Sequence, residues 1–428
     1  MSKKNIFVIG LDDFNLKQIE TIRNIQEYEI HGLLPLGMLL KTKNFNINKL
    51  IEKGLKEIEE SGVKPDAFIS HWDFPSAALV AVFRKEYNLP GPSLDSILIA
   101  EHKYWCRLRH EKSIPENIPE FESINPFDEE AVEKVTLEFP FWIKPNIGFS
   151  SQMVYFVKNK QELKEALAET RKKIARFGDP FAEFLKRVDM PEDIPTKIDA
   201  YHCILEKPIG GRQCTVEGYI KDDECHIFGV VDSLREGRMN SSFARYILPS
   251  QLPDEVKSRL KSISKKAIYQ MGLDDVPFNI EYFWDEESDN IWLLEVNTRI
   301  SKSHSPLFAD IMGASNHEVA VELALGKEPD YPRDEGPHDV SIKFMMRFFE
   351  DGVVKRVPTK REILDLEHEF ECSIQIEVSQ GERLSEMPDQ DSYSYEVAVV
   401  FMGGKSRDEL EQKYAELKDR LPLEIEER

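Results

Sequence analysis

The chain has 428 residues, 41% hydrophobic and 31% charged, and 56 Lys plus Arg against 78 Asp plus Glu give a net charge of −22. This composition excludes a disordered protein and a coiled coil. So acidic a surface repels nucleic-acid phosphates and anionic lipid headgroups, which excludes a general nucleic-acid or membrane binder but leaves room for a local basic pocket.

No apolar run approaches the ~20 residues that cross a bilayer. Lys3 and Lys4 precede an apolar run, but Gly10, Asp12 and Asp13 end it too early for a signal peptide. The five cysteines are odd in number and scattered, with no CxxC pair. They read as reduced thiols of a cytoplasmic protein, without a zinc site or disulfide frame.

In chain order, residues 5–10 predict a buried-type strand and residues 16–29 a helix. Helical spacing follows over 47–62, a strand over 65–70, and a helix over 77–87 ended by Pro90-Gly91-Pro92. This alternation predicts an N-terminal doubly wound parallel α/β domain. No GxGxxG follows the first strand, so there is no dinucleotide fingerprint. A proline-rich connector at 114–126 leads into strands at 141–144 and 153–157, then Asn159 and Glu162 as a capping box for a helix. Strands are predicted over 203–207, 214–220 and 226–231, a helix over 254–271, a hairpin over 278–284 and 291–296, and a helix over 317–325. The charged, Pro-rich stretch 330–337 marks a boundary, followed by strands at 340–349, 373–378 and 395–401 and a helix at 406–420. The expected division is 1–100, 101–330 and 331–428, the last an α+β part.

The hairpin carries the chemistry. Strand side chains alternate between faces. One face therefore holds Phe278, Ile280, Tyr282 and Trp284 with Trp292, Leu294 and Val296. The other holds Glu281, Glu295 and Asn297 beside Phe283, Ile291 and Leu293. With a turn centred near Ser288, Glu281 lies opposite Glu295. Two carboxylates beside apolar neighbours repel each other and resist desolvation, and a divalent cation removes both penalties. Hard oxygen ligands with open positions for phosphate describe a Mg²⁺ site, with Mn²⁺ as the alternative. The competing reading is a half-exposed sheet with ordinary surface glutamates. Asn297 and Arg299 on the same side, supplying a third oxygen and a cation, weigh against it.

At these residues the chain resembles the ATP-grasp superfamily of carboxylate–amine ligases, on its biotin carboxylase-like and L-amino acid ligase-like side. The hallmark is an acidic residue on one strand and Glu-x-Asn-x-Arg on the next, here Glu281 and Glu295-Val296-Asn297-Thr298-Arg299. The resemblance covers residues 97–326 and implies a two-lobed nucleotide-gripping core with ATP as cofactor. It implies phosphate-binding roles for Lys103 and Lys144, and a phosphate-covering loop at Gly148, Ser150 and Ser151, with one glycine where relatives often have several. It implies an adenine-reading hinge at Glu206, Lys207, Ile209 and Gln213, with Glu217 approaching the nucleotide. Glu281, Glu295 and Asn297 would hold the metal, and Arg299 would be the catalytic cation. Ser301 and His304 would border the acceptor. Arg235 and Arg245 flank a loop over 236–242 that is a candidate clamp for a substrate carboxylate. His71, Trp72 and Asp73 close a strand of an open sheet, where ligands bind, and are candidates for substrate selection.

The implied reaction is ATP-dependent C–N bond formation between a small-molecule carboxylate and an amine through an acyl phosphate. Its rivals are a carboxylase using bicarbonate, a purine-pathway ligase with a nucleotide substrate, and a nucleotide-binding regulator without catalysis. No nucleic-acid or membrane partner is expected, and a homodimer is left open.

Overall fold

The computed structural model describes residues 3–40, 46–148, 152–237, 242–387, 390 and 394–427. Strands β1 (Lys4–Ile9), β2 (Tyr28–Leu33) and β3 (Ala67–Ile69) form a parallel sheet in the order β2-β1-β3. Alternation along β1 sends Ile6 and Val8 into one core with Ala320 and Val321, and Phe7 and Ile9 into another with Phe68 and Phe83. A strand buried on both faces must read as a continuous apolar run, which is why 6–9 is uninterrupted.

The helix expected over 16–29 is shorter. It spans Asp13–Ile19 behind an N-cap at Asp12, whose carboxylate accepts from the Asn15 backbone N–H at 2.7 Å. Asn24 then takes a left-handed conformation with φ 60°, and a short 3₁₀ turn, Ile25–Glu27, delivers the chain into β2. Asparagine tolerates that conformation and a continuing helix does not, so the expected helix conceals a turn and the start of a strand.

A second sheet contains β4 (Phe121–Ile124), β5 (Phe141–Pro145), β6 (Tyr155–Val157) and β7 (Cys203–Glu206), in the order β4-β7-β5-β6. The helix Lys160–Lys173 covers it through Leu163 and Leu167 against Phe141, Ile143 and Leu205. Its N-cap Asn159 accepts from the N–H groups of Gln161 and Glu162. The Glu162 carboxylate reaches back to the Lys158 N–H at 2.8 Å, one residue earlier than a standard capping box.

The third sheet contains β8 (Arg212–Lys221), β9 (Glu224–Glu236), β10 (Ser242–Leu248), β11 (Val276–Asp285), β12 (Asn290–Asn297) and β13 (Val340–Phe348). After β14 (Gly352–Arg356), the strands β15 (Cys372–Ile376) and β16 (Tyr395–Gly404) complete it, while β17 (Glu424–Glu427) pairs with β14. The order β12-β11-β8-β9-β10-β13-β16-β15 carries one sheet from the carboxylate hairpin into the C-terminal region. Among the described residues, no helix is long and apolar enough to cross a membrane.

Strands β11 and β12 pair antiparallel with Glu281 opposite Glu295. A bulge follows, so that Tyr282 pairs with Leu293 and Trp284 with Ile291. Ile291 and Leu293, expected beside the carboxylates, are instead buried with Tyr282, Trp292 pairs with Phe283 on the carboxylate side, and Leu294 is left unpaired at the bulge. One extra residue on a strand exchanges the faces of all that follow it. The freed Leu294 carbonyl accepts from Arg107 Nη2 at 2.7 Å. Arg107 lies on the helix Lys103–Ser113 and also reaches Glu206 on β7, so one side chain ties the small sheet to the large one.

Candidate active site

Four polar side chains line the hairpin where β11 and β12 meet. Asn279 lies opposite Asn297, and Glu281 opposite Glu295. Asn297 donates through Nδ2 to Asn279 Oδ1 at 3.0 Å, and Asn279 donates to the Arg299 carbonyl, also at 3.0 Å. That leaves the Asn297 side-chain oxygen available as a ligand. Glu281 accepts from Gln213 Nε2 at 2.9 Å, and Gln213 Oε1 accepts from Arg235 Nε at 2.8 Å. Burial, with the Glu295 charge, pushes the Glu281 carboxyl up to about 7, although Arg299 and Arg235 work in the opposite direction. Burial also acts against the Glu295 carboxylate, but Lys103 at 2.8 Å, with Lys144 and Arg299, holds it below its ordinary value. Two carboxylates and an amide oxygen are the hard donors that a magnesium ion takes. Among the described residues, no three His, Cys, Asp or Glu side chains cluster as a metal site. A cation at the hairpin would therefore draw its remaining ligands from phosphate or water.

Beside the hairpin lies a row of cations. Lys103 opens its helix behind the N-cap His102 and donates from Nζ to the Gly148 carbonyl at 3.1 Å. Lys144, near the end of β5, pairs with Glu206 at 2.7 Å, and Arg107 pairs with the other Glu206 oxygen at 2.6 Å. Burial disfavours the Glu206 charge, yet Arg107 and Lys144 outweigh it and bring the carboxyl down to about 2. Glu206, expected at the adenine hinge, is in this structure the counter-ion of Lys144. Lys207 and Ile209 lie on the segment joining β7 of the small sheet to β8 of the large one. There the Lys207 backbone N–H donates to the Glu120 carbonyl at 3.0 Å. Ser150 and Ser151 lie outside the described residues.

Arg299 leaves the hairpin toward the parallel sheet, where its Nε donates to Asp73 at 2.5 Å. Asp73 follows β3 and belongs to the trio singled out in the sequence. Glu101, the last residue of the helix Leu94–Glu101, joins this neighbourhood. Burial, and then the Asp73 charge, pushes its carboxyl up to about 8. Sequence reasoning passed over Glu101, whose proximity to Lys103 was the available signal. It also passed over Asn279, which sits two residues before Glu281 on the same strand face.

The other expected site residues fall into different groups. Glu217 is fully buried; it lies 2.7 Å from His304 Nδ1 and accepts from Asn316 Nδ2 at 3.0 Å and the Ser301 N–H at 3.4 Å. Glu217, Ser301 and His304 thus form one network under the loop after β12. Arg245 pairs with Glu411 at 2.9 Å and faces Phe344, toward the C-terminal region. Arg235 joins the Gln213–Glu281 chain, so the two arginines act in different places.

Residues 137–306 match the sequence profile of the ATP-grasp domain. The match is to the ATP-grasp domain and covers 170 of the 428 residues. Lys144, Glu206, Glu281, Glu295, Asn297 and Arg299 fall inside the matched span, and Asp73, Glu101 and Lys103 precede it. The chain is 27% identical over 201 residues to a D-alanine–D-alanine ligase of Pelodictyon phaeoclathratiforme, covering 44% of this chain and 48% of that one. It spans about half or less of the length of the curated relatives it matches. Its ATP-grasp fold resembles that of an L-amino acid ligase from Bacillus licheniformis, with TM-score 0.73, 15% identity and full coverage of both chains. It also resembles the biotin carboxylase domain of the Hydrogenobacter thermophilus 2-oxoglutarate carboxylase, solved with MgADP and bicarbonate. There the TM-score is 0.66 at 15% identity, over 100% of this chain and 92% of that one.

Proposed function

We propose that the protein is an ATP- and magnesium-dependent ligase that joins a small carboxylate to an amine through an acyl phosphate, releasing ADP and phosphate. The observation that carries this reading is Glu281 directly opposite Glu295, flanked by Lys103 and Arg299. A carboxylate is a poor acylating agent at neutral pH. Its oxygen attacks the γ-phosphorus while the bond to ADP breaks. The amine then attacks the acyl carbon, phosphate leaves with the C–O electron pair, and the amine gives up a proton.

Magnesium or manganese, when bound, would neutralise charge on the β- and γ-phosphates. Glu281, Glu295 and the Asn297 oxygen would hold it. Lys103 and Lys144 face the same space, and Glu206 with Arg107 fixes the Lys144 ammonium in place. Asp73 orients the Arg299 fork, whose remaining N–H groups can meet oxygens of the transferring phosphoryl group. Gly148, Ser150 and Ser151 would cover the phosphates. Lys207, Ile209 and Gln213 would border the nucleoside. The same reading keeps the division 1–100, 101–330 and 331–428 and a cytoplasmic role on small molecules.

The experiment is a phosphate-release screen with ATP, Mg²⁺ and pairs of amino acids. Release that requires both a carboxylate and an amine, with ADP as product, is expected. Release driven by bicarbonate alone would replace the ligase reading with a carboxylase. AMP and pyrophosphate as products would remove the acyl-phosphate mechanism.

A further inference from the structure

Several of the site's cations have counter-ions: Arg299 pairs with Asp73, Lys103 with Glu295, and Lys144 and Arg107 with Glu206. Lys302 and Lys343 do not follow that pattern. Lys302 lies three residues beyond Arg299, and its Nζ sits 3.7 Å from the centre of the Trp72 ring. Trp72 is held in turn by its indole N–H, which donates to the Gly10 carbonyl at 2.9 Å. Lys343 stands on β13 opposite Tyr246 on β10, only 9% exposed, with Nζ 3.4 Å from Ser303 Oγ. The loop 301–304 and the end of β3 thus bring the two ammonium groups to one neighbourhood. Among the described residues, neither is within ion-pair distance of a carboxylate.

This arrangement is costly without a ligand. A desolvated ammonium is stabilised by an opposite charge, and two ammonium groups near each other repel. Burial, opposed by Asp12 and added to by Lys343, brings Lys302 down to about 8. Burial likewise lowers Lys343, against the pull of Glu396 and Glu377 and with Arg347 adding to it, and Glu377 also acts on Lys302 without reaching ion-pair distance of either lysine. Aromatic faces at Trp72 and Tyr246 soften the penalty but do not cancel a charge. The neighbourhood adjoins Arg299 and Asp73, at the carboxyl end of a parallel strand, where open sheets bind ligands.

We propose that Lys302 and Lys343 form an anion subsite for a non-reacting acidic group of the substrate, which selects substrates carrying a second negative charge beyond the carboxylate that is activated. This rests on the ligase reading for its place in catalysis but not for its existence as a binding site. A distal carboxylate and a phosphomonoester share the required chemistry.

The test is calorimetry on the full chain saturated with MgADP, titrated with glutarate, with acetate and with glycerol 3-phosphate. Glutarate is expected to bind about tenfold or more tighter than acetate, from one added charge-assisted contact. A still tighter glycerol 3-phosphate would assign the subsite to a phosphomonoester. Lys302→Met and Lys343→Met should each erase the preference while keeping MgADP affinity, and Lys343→Arg should keep it. Equal binding of glutarate, glycerol 3-phosphate and acetate by the parent protein, or a preference untouched in both Met variants, would overturn the subsite. Because the readout needs no turnover, a failed phosphate-release screen with intact glutarate preference would remove the ligase reading and leave the subsite standing.

Discussion

Glu206 and Glu281 are glutamates of one site, both drawn out of bulk water, and they are pushed in opposite directions. Glu206 is met by Arg107 and Lys144 and falls to about 2, whereas Glu281 is met by the Glu295 charge and rises to about 7. Burial raises both, so the neighbours decide the outcome. The difference separates a finished ion network from an unfinished one. The small sheet supplies a glutamate already neutralised by protein cations, which fixes Lys144 and locks β7 to β12 through Arg107. The hairpin supplies a carboxylate pair whose charge the protein leaves only partly compensated, which is where an added cation has most to offer.

If the hairpin pair is the metal seat, its loss should be the largest effect. Glu295→Gln is expected to lower phosphate release by about 10³-fold, as transition-state charge goes uncompensated. A stopped assay of phosphate release with MgATP and the best substrate pair measures it, and near-normal turnover would collapse the contrast with Glu206.

Breaking the other side of the comparison should act on folding. Glu206→Gln leaves the Arg107 and Lys144 charges buried without a counter-ion and should cost about 3–5 kcal/mol, read from urea unfolding. A variant as stable as the parent would show that this network is not finished in the sense argued.

Arg299→Lys keeps the charge and loses the fork that meets Asp73. Turnover at saturation is expected to fall by about tenfold to a hundredfold, with ATP affinity changed far less, because the contact matters most in the transition state. Coupled ADP release and calorimetry separate the two; a collapse of ATP affinity with turnover preserved would make Arg299 a nucleotide anchor.

The smallest effects are in pH. Glu206, depressed from 4.5 to about 2, contributes stability that is complete above 4.5 and is lost as pH falls toward 2. Glu281, raised from 4.5 to about 7, works the other way: without metal its protonated form favours folding, and that contribution is lost as pH rises from 4.5 through 7. Unfolding curves across pH should therefore flatten on the acid side in Glu206→Gln and near neutrality in Glu281→Gln. Parallel curves for both variants would contradict the opposed shifts.

The register of the carboxylates was legible because period-two alternation and a short turn leave few ways to close a hairpin. Its bulge was not, since the partner of the freed Leu294 carbonyl is Arg107, 187 residues away. For the same reason Asp73 could be read as a strand-end residue but not as the partner of Arg299, 226 residues on. Lys103 and Lys144 were legible as candidates through the resemblance, and both lie beside Glu295 in the structure. The counter-ion role of Glu206 was hidden, because pairing across two sheets leaves no local pattern. No strand is expected over 242–248, where β10 lies, and the helix expected over 16–29 runs too long because Asn24 gives no warning of its left-handed turn.

We propose that Glu281 and Glu295 bind a divalent cation together with nucleotide. Electron paramagnetic resonance of Mn²⁺, titrated into the protein with ADP present, tests it without requiring a substrate. One bound Mn²⁺ that depends on ADP is expected, weakened in Glu281→Gln and in Glu295→Gln by more than the loss of about tenfold to hundredfold that follows when a residue hydrogen-bonded to a metal ligand is removed. Mn²⁺ binding with ADP that is unchanged in both variants would contradict it.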